Sequence, residues 1–182
     1  MSHSPSNYTI GKGIVYVGQW VGSTPPTWPG DYRDVGNCTS MTLEPQIEKL
    51  PHYSSRAGFR EKDLDPIVQM EYNVQFDLDE PTAENLQMLL MGTLFGDTVR
   101  GMTALTEEFA LRFVSDNPTG PNRIYDLWRV SIAPNGPLQL IGDEYMVLSY
   151  QGEGLADRAN HPDSPFFDIQ DVDASATTTT TS

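Results

Sequence analysis

Val68-Gln69-Met70-Glu71-Tyr72-Asn73-Val74-Gln75-Phe76-Asp77-Leu78-Asp79 decides the fold. Apolar and polar residues alternate without a break across it, and period two is the signature of a β-strand with one buried face and one wet face. At roughly 3.3 Å per residue such a strand is far longer than the usual 5–6 residues. It suits a large sheet or a barrel wall. The wet row is Gln69, Glu71, Asn73, Gln75, Asp77 and Asp79, with no Lys or Arg in it.

Shorter runs extend the pattern outward. Ile14–Trp20, Asn37–Leu43, Thr106–Val114, the stretch marked by Ile124, Trp128, Val130 and Ile132, and Glu144–Leu155 all read as strands. Ala133-Pro134-Asn135-Gly136-Pro137 is turn chemistry between two of them. One helix follows the long strand. Pro81 fits a first helical position, Ala83, Leu86 and Leu90 share a face, and Gly92 can end it. The predicted class is mainly β (α+β), with one short helix packed on the sheet.

Three segments are irregular. Val21–Arg33, with Pro25, Pro26, Pro29 and Gly30, reads as a surface loop. Residues 44–66 join two strands by a connection far beyond a tight hairpin, and such long loops are usually functional or disordered. The expected domain therefore covers 1–168, and 169–182 is expected to be an acidic, Thr-rich flexible tail.

The chain has 182 residues and a net charge of −14. That charge argues against adsorption to DNA or to anionic membrane. It is unevenly spread: residues 67–99 hold six acids and no Lys or Arg. Such a one-signed wet face reads either as a surface built to repel polyanions or as a solvated acidic patch. Loop 44–66 differs, interleaving Lys49, Arg56, Arg60 and Lys62 with Glu44, Glu48, Glu61, Asp63 and Asp65 among Tyr53, Phe59 and other apolar residues. That mixture looks like a segment that docks on another protein, or like an ordinary solubilised loop.

Catalytic chemistry finds no footing. His3, His52 and His161 share no spacing, and the single cysteine, Cys38, has no Cys-His context. Asp77-Leu78-Asp79-Glu80 lacks the Gly and terminal Glu of a calcium loop. The expectation is no catalytic residue, no metal and no cofactor. The opening Met1–Asn7 has neither the basic nor the apolar part of a secretory signal, and no apolar run reaches the roughly 20 residues that cross a bilayer.

Three stretches together resemble the tail tube (major tail) proteins of long-tailed bacteriophages. They are Glu48–Asp63 (EKLPHYSSRAGFREKD), the long strand running into Asp79-Glu80-Pro81-Thr82-Ala83-Glu84-Asn85-Leu86, and Asn135–Glu144 (NGPLQLIGDE). The third continues through the strand to Leu155 and on to Asp163-Ser164-Pro165-Phe166-Phe167. The resemblance covers most of residues 8–168. It implies a β-sandwich or barrel subunit, hexameric rings stacked into a hollow tube, and a virion protein made in the bacterial cytoplasm. The implied partners are further copies of the chain, a tape-measure protein and tail-end proteins. DNA would transit the lumen without specific binding, and the chain would not bind membrane. On that view Gln69, Glu71, Asn73, Gln75, Asp77 and Asp79 face the lumen. Glu48, Lys49, Tyr53, Arg56, Phe59, Arg60 and Lys62 make the contact between rings. Two alternatives stay open: the tube of a contractile injection system, and a monomeric β-sandwich binding module, for example one that holds glycans on a virion surface with Trp20, Trp28 and Trp128.

Overall fold

The computed structural model describes residues 8–56, 58–104 and 107–172. In chain order its elements are β1 (Gly13–Gln19), β2 (Tyr32–Asp34), β3 (Cys38–Lys49), β4 (His52–Ser54), β5 (Glu61–Leu64), β6 (Ile67–Leu78) and α1 (Ala83–Leu89). These are followed by β7 (Thr93–Phe95), β8 (Thr98–Arg100), β9 (Glu108–Ser115), β10 (Asn122–Pro134), β11 (Leu148–Gly154) and β12 (Phe167–Val172). Among the described residues the protein is mainly β with one short helix, as its alternating sequence requires.

One antiparallel sheet carries the fold, in the order β2-β1-β9-β10-β11-β6-β3, with β12 also paired to β10. β10 is the corner. A bulge between Leu127 and Val130 divides it: Asn122–Leu127 pairs with β12, and Val130–Pro134 pairs with β11. A bulged strand can bend and serve two sheet halves that face each other. Val15, Val17 and Leu111 from one half therefore share a core with Val74, Phe76, Leu78 and Tyr150 from the other.

α1 closes one side of that core. Thr82 caps it, its hydroxyl accepting from the Asn85 N–H at 3.2 Å, so Pro81 precedes the cap instead of opening the helix as expected. The buried face is also shifted, to Asn85, Met88 and Leu89 in place of Ala83, Leu86 and Leu90. Asn85 causes the shift. Its side-chain amide donates to the carbonyls of Val35 and Glu80, each at 2.9 Å, and its oxygen accepts from Arg33 Nη1 at 2.8 Å. A buried amide so fully bonded is a fixed anchor, which an apolar-face reading cannot find.

Other expectations need correction. Ala133 and Pro134 form the end of β10, with the turn after them. Ile169 to Val172, expected in the tail, pair with β10 as strand. Residues 173–182 lie outside the described residues, as does His3. The loop expected over 44–66 is largely strand, and its shape decides the site.

Candidate functional site

β6 is paired on both sides only over Asn73–Leu78, where β11 and β3 flank it. There Tyr72, Val74, Phe76 and Leu78 are buried, and Asn73, Gln75 and Asp77 make the opposite face. Register brings polar residues from both neighbours beside them. Asp77 lies between Ser40 and Ser149, Gln75 between Thr42 and Gln151, and Asn73 between Glu44 and Glu153. The Ser40 hydroxyl donates to Asp77 at 2.8 Å. A shallow groove of about 290 Å³ crosses this face, lined by Asn73, Gln75, Ser131, Gln151 and Glu153 among others.

The groove is lined by carboxylates, amides and a hydroxyl, with no Lys or Arg among its lining residues. Arg129, at the β10 bulge beside Ser131, is held to its own strand pair: its Nε donates to Glu108 at 2.5 Å and its guanidinium lies over the Trp20 ring. Asp79, one residue beyond β6, is held by the Asn37 side-chain amide at 2.8 and 2.9 Å and helps lock the β3–β6 end. Glu153 and Gln151 were missed in the sequence, although Ser149, Gln151 and Glu153 alternate with Leu148, Tyr150 and Gly152 there. Gly152 and Gly154 fall in the buried row because a side chain at either would meet Val130 or the Tyr72 ring.

The six residues of the expected wet row do not stay together. Asn73, Gln75 and Asp77 lie on the body face, whereas Gln69 and Glu71 lie beyond β11, where β6 pairs with β3 alone. From Gln46 and Glu71 outward these two strands form a two-stranded arm. Its outer end is closed by the Leu50 N–H donating to Pro66 O at 3.0 Å and is tipped by the β4–β5 hairpin. Pro45 does not stop β3, because an edge strand tolerates a residue that cannot donate on its open side.

The apolar row of the sheet continues into the arm and loses its cover. Ile47 is 56% exposed, Val68 54% and Met70 51%. Glu48, Lys49, Tyr53, Arg56, Phe59, Arg60 and Lys62, expected to make an intermolecular contact, are all exposed on this arm. Lys62 pairs with Asp65 at 2.6 Å, His52 with Asp63 at 2.6 Å, and Arg60 lies over the Tyr53 ring.

The groups with reactive side chains are structurally engaged. Burial pushes the Cys38 thiol up, and its Sγ donates to Ser40 O at 3.2 Å, the reverse of an activated thiolate. His161 is stacked on Trp128 and bonded to Asp157 at 2.9 Å. The tryptophans are not gathered on one surface: Trp20 is buried and donates to Trp128 O, while the 41%-exposed Trp28 packs edge-on between Tyr16 and Tyr32.

A family model described as "Protein of unknown function UCP028589" matches residues 8–96 and 95–170. No curated protein matches the chain.

Proposed function

We propose that this chain, which belongs to that family of unknown function, is a tube-forming structural protein. Its copies close into rings that stack, like the phage tail tube proteins it resembles. One observation carries the reading: the arm of β3 and β6 leaves the body with its apolar row uncovered. A two-stranded ribbon is marginal alone in water, and a contiguous exposed apolar surface marks an interaction site. The outer edge of β3 is open as well, since among the described residues β3 pairs only with β6. Open edges and bare apolar rows are what copies of one chain cover when they join by a heterologous contact that closes into a ring.

The face that carries this groove then lines the lumen. Asp77 and Glu153 on each subunit repel phosphates within about a Debye length, roughly 8 Å at physiological salt. A groove without Lys or Arg, beside an Arg129 already paired with Glu108, gives DNA little gain from counterion release, so a genome passes without sticking. The work is electrostatic, with no bond made or broken. The remaining partners are a tape-measure protein filling the lumen during assembly and proteins closing the tube ends, in a virion tail built in the bacterial cytoplasm.

Negative-stain electron microscopy of the purified full chain, alone and with tail-end initiator proteins, tests this. Rings or tubes are expected. Small featureless particles under every condition overturn the reading and favour a monomeric binding module. In assembled tails, Asp77→Lys with Glu153→Lys is expected to leave tubes intact and slow DNA release. Unchanged release from intact tubes moves this face away from the lumen.

A further inference from the structure

At the end of the sheet opposite the arm, Leu78 of β6 pairs with Leu148 of β11. There the connection from β10 to β11 opens a second apolar surface: Leu140 is 76% exposed, Ile141 94% and Tyr145 93%. Asp143 and Glu144 lie among them, and residues 135–147 contain no Lys or Arg. The arm tip carries bases as well as acids. Two of its acids are already engaged, Asp63 with His52 and Asp65 with Lys62. Arg56, Arg60 and the 69%-exposed Phe59 remain presented beside one further exposed acid, Glu61, so two guanidiniums stand against one carboxylate. The molecule is thus polar along its strand axis, with an excess of guanidiniums around Phe59 at one end and carboxylates among Leu140, Ile141 and Tyr145 at the other.

We propose that the arm tip of one copy docks on the Leu140–Tyr145 loop of the next copy along the tube. The inference rests on the tube reading and adds the receptor for the arm. A chain cannot satisfy itself this way, because the 12-residue β6 separates the two surfaces by about 40 Å. A contact between opposite ends of identical copies is heterologous and repeats along a line, so it propagates stacking. Phe59 against Ile141 and Tyr145 supplies the apolar burial. Arg56 and Arg60 against Asp143 and Glu144 set the polarity, since the reversed arrangement places like charges together.

Charge reversal tests the pairing in the full chain. Arg56→Glu with Arg60→Glu, or Asp143→Arg with Glu144→Arg, is expected to raise the critical concentration for tube elongation at least about tenfold. The chain with all four changes is expected to recover most of that loss. Loop variants that elongate like the unchanged chain, or a fourfold variant no better than either pair, overturn the docking while leaving the tube reading intact. An unchanged chain that forms neither rings nor tubes overturns both. A second measurement does not depend on charge: on a Cys38→Ser background, Phe59→Cys with Ile141→Cys is expected to give a ladder of disulfide-linked multimers on mild oxidation. Monomers alone, from a chain that forms tubes, count against the contact.

Discussion

β6 passes through two environments with one sequence pattern. In the body, Tyr72 is 1% exposed; in the arm, Met70, on the same face two residues earlier, is 51% exposed. Nothing in their periodicity differs. The body half shares its core with β1, β9 and α1, whereas the arm half pairs with β3 and, among the described residues, has its apolar row half exposed. Period two thus fixes which face of a strand is apolar and leaves open what covers it. Where the monomer supplies no cover, the pattern describes a partner.

Truncation in the body gives the largest expected effect. Phe76 is 1% exposed and stacks on Tyr150 with ring centroids 4.7 Å apart. Phe76→Ala removes that contact and leaves a cavity, with an expected loss of about 3–5 kcal/mol in denaturant unfolding. A loss below about 1 kcal/mol would make the body as loosely covered as the arm and erase the contrast.

The two regions also each hold a His–Asp pair, which sharpens the comparison. His161 and Asp157 meet at 2.9 Å with the carboxylate side chain 3% exposed, and Asn160 donates to the same carboxylate. His52 and Asp63 meet at 2.6 Å in the arm with both side chains about half exposed or more. Burial alone would raise Asp157, yet the hydrogen bonds from His161 and Asn160 outweigh it and hold the carboxyl below its usual range. The folded state therefore binds fewer protons there than the unfolded chain. The stabilisation is complete above the unfolded value, about 3.9, and is lost as pH falls through the depressed folded value. Asp157→Asn is expected to cost about 2 kcal/mol at neutral pH and to flatten the melting temperature against pH below about 4. Asp63→Asn is expected to change stability by less than about 0.5 kcal/mol, as for solvent-screened pairs. Equal effects at the two sites would remove the distinction between them.

Legibility in the sequence follows the same divide. Tyr72–Leu78 could be read because every second residue there is covered, and Ile14–Trp20 and Thr106–Val114 fall close to β1 and β9. The outer part of β3 could not, since Pro45 and the mixed charges after Leu43 resemble a loop and only pairing with β6 keeps them extended. β12 was hidden because Asp168 and Asp171 gave it the composition of a tail, while its strand character comes from pairing with β10. Of the polar face, the β6 row was plain, but its neighbours Gln151 and Glu153 needed the β11–β6 register. The break between Gln75 on the body and Gln69 on the arm depends on where β11 ends, which no local pattern encodes.

The smallest effect on stability is expected where the comparison is most exposed to failure. Val68→Thr with Met70→Thr keeps two strand-compatible residues in the arm and removes apolar surface that is already half exposed in the single subunit. Unfolding of the isolated subunit is expected to shift by no more than about 0.5 kcal/mol, as for surface changes that leave no cavity. Assembly is expected to fall sharply in sedimentation and electron microscopy, because those residues gain cover only from another copy. A large loss of subunit stability would mean that the arm folds back under a cover of its own. Unaltered assembly would mean that its apolar row faces water in the tube as well. Either result would separate the alternation along β6 from the intermolecular role argued for its outer half.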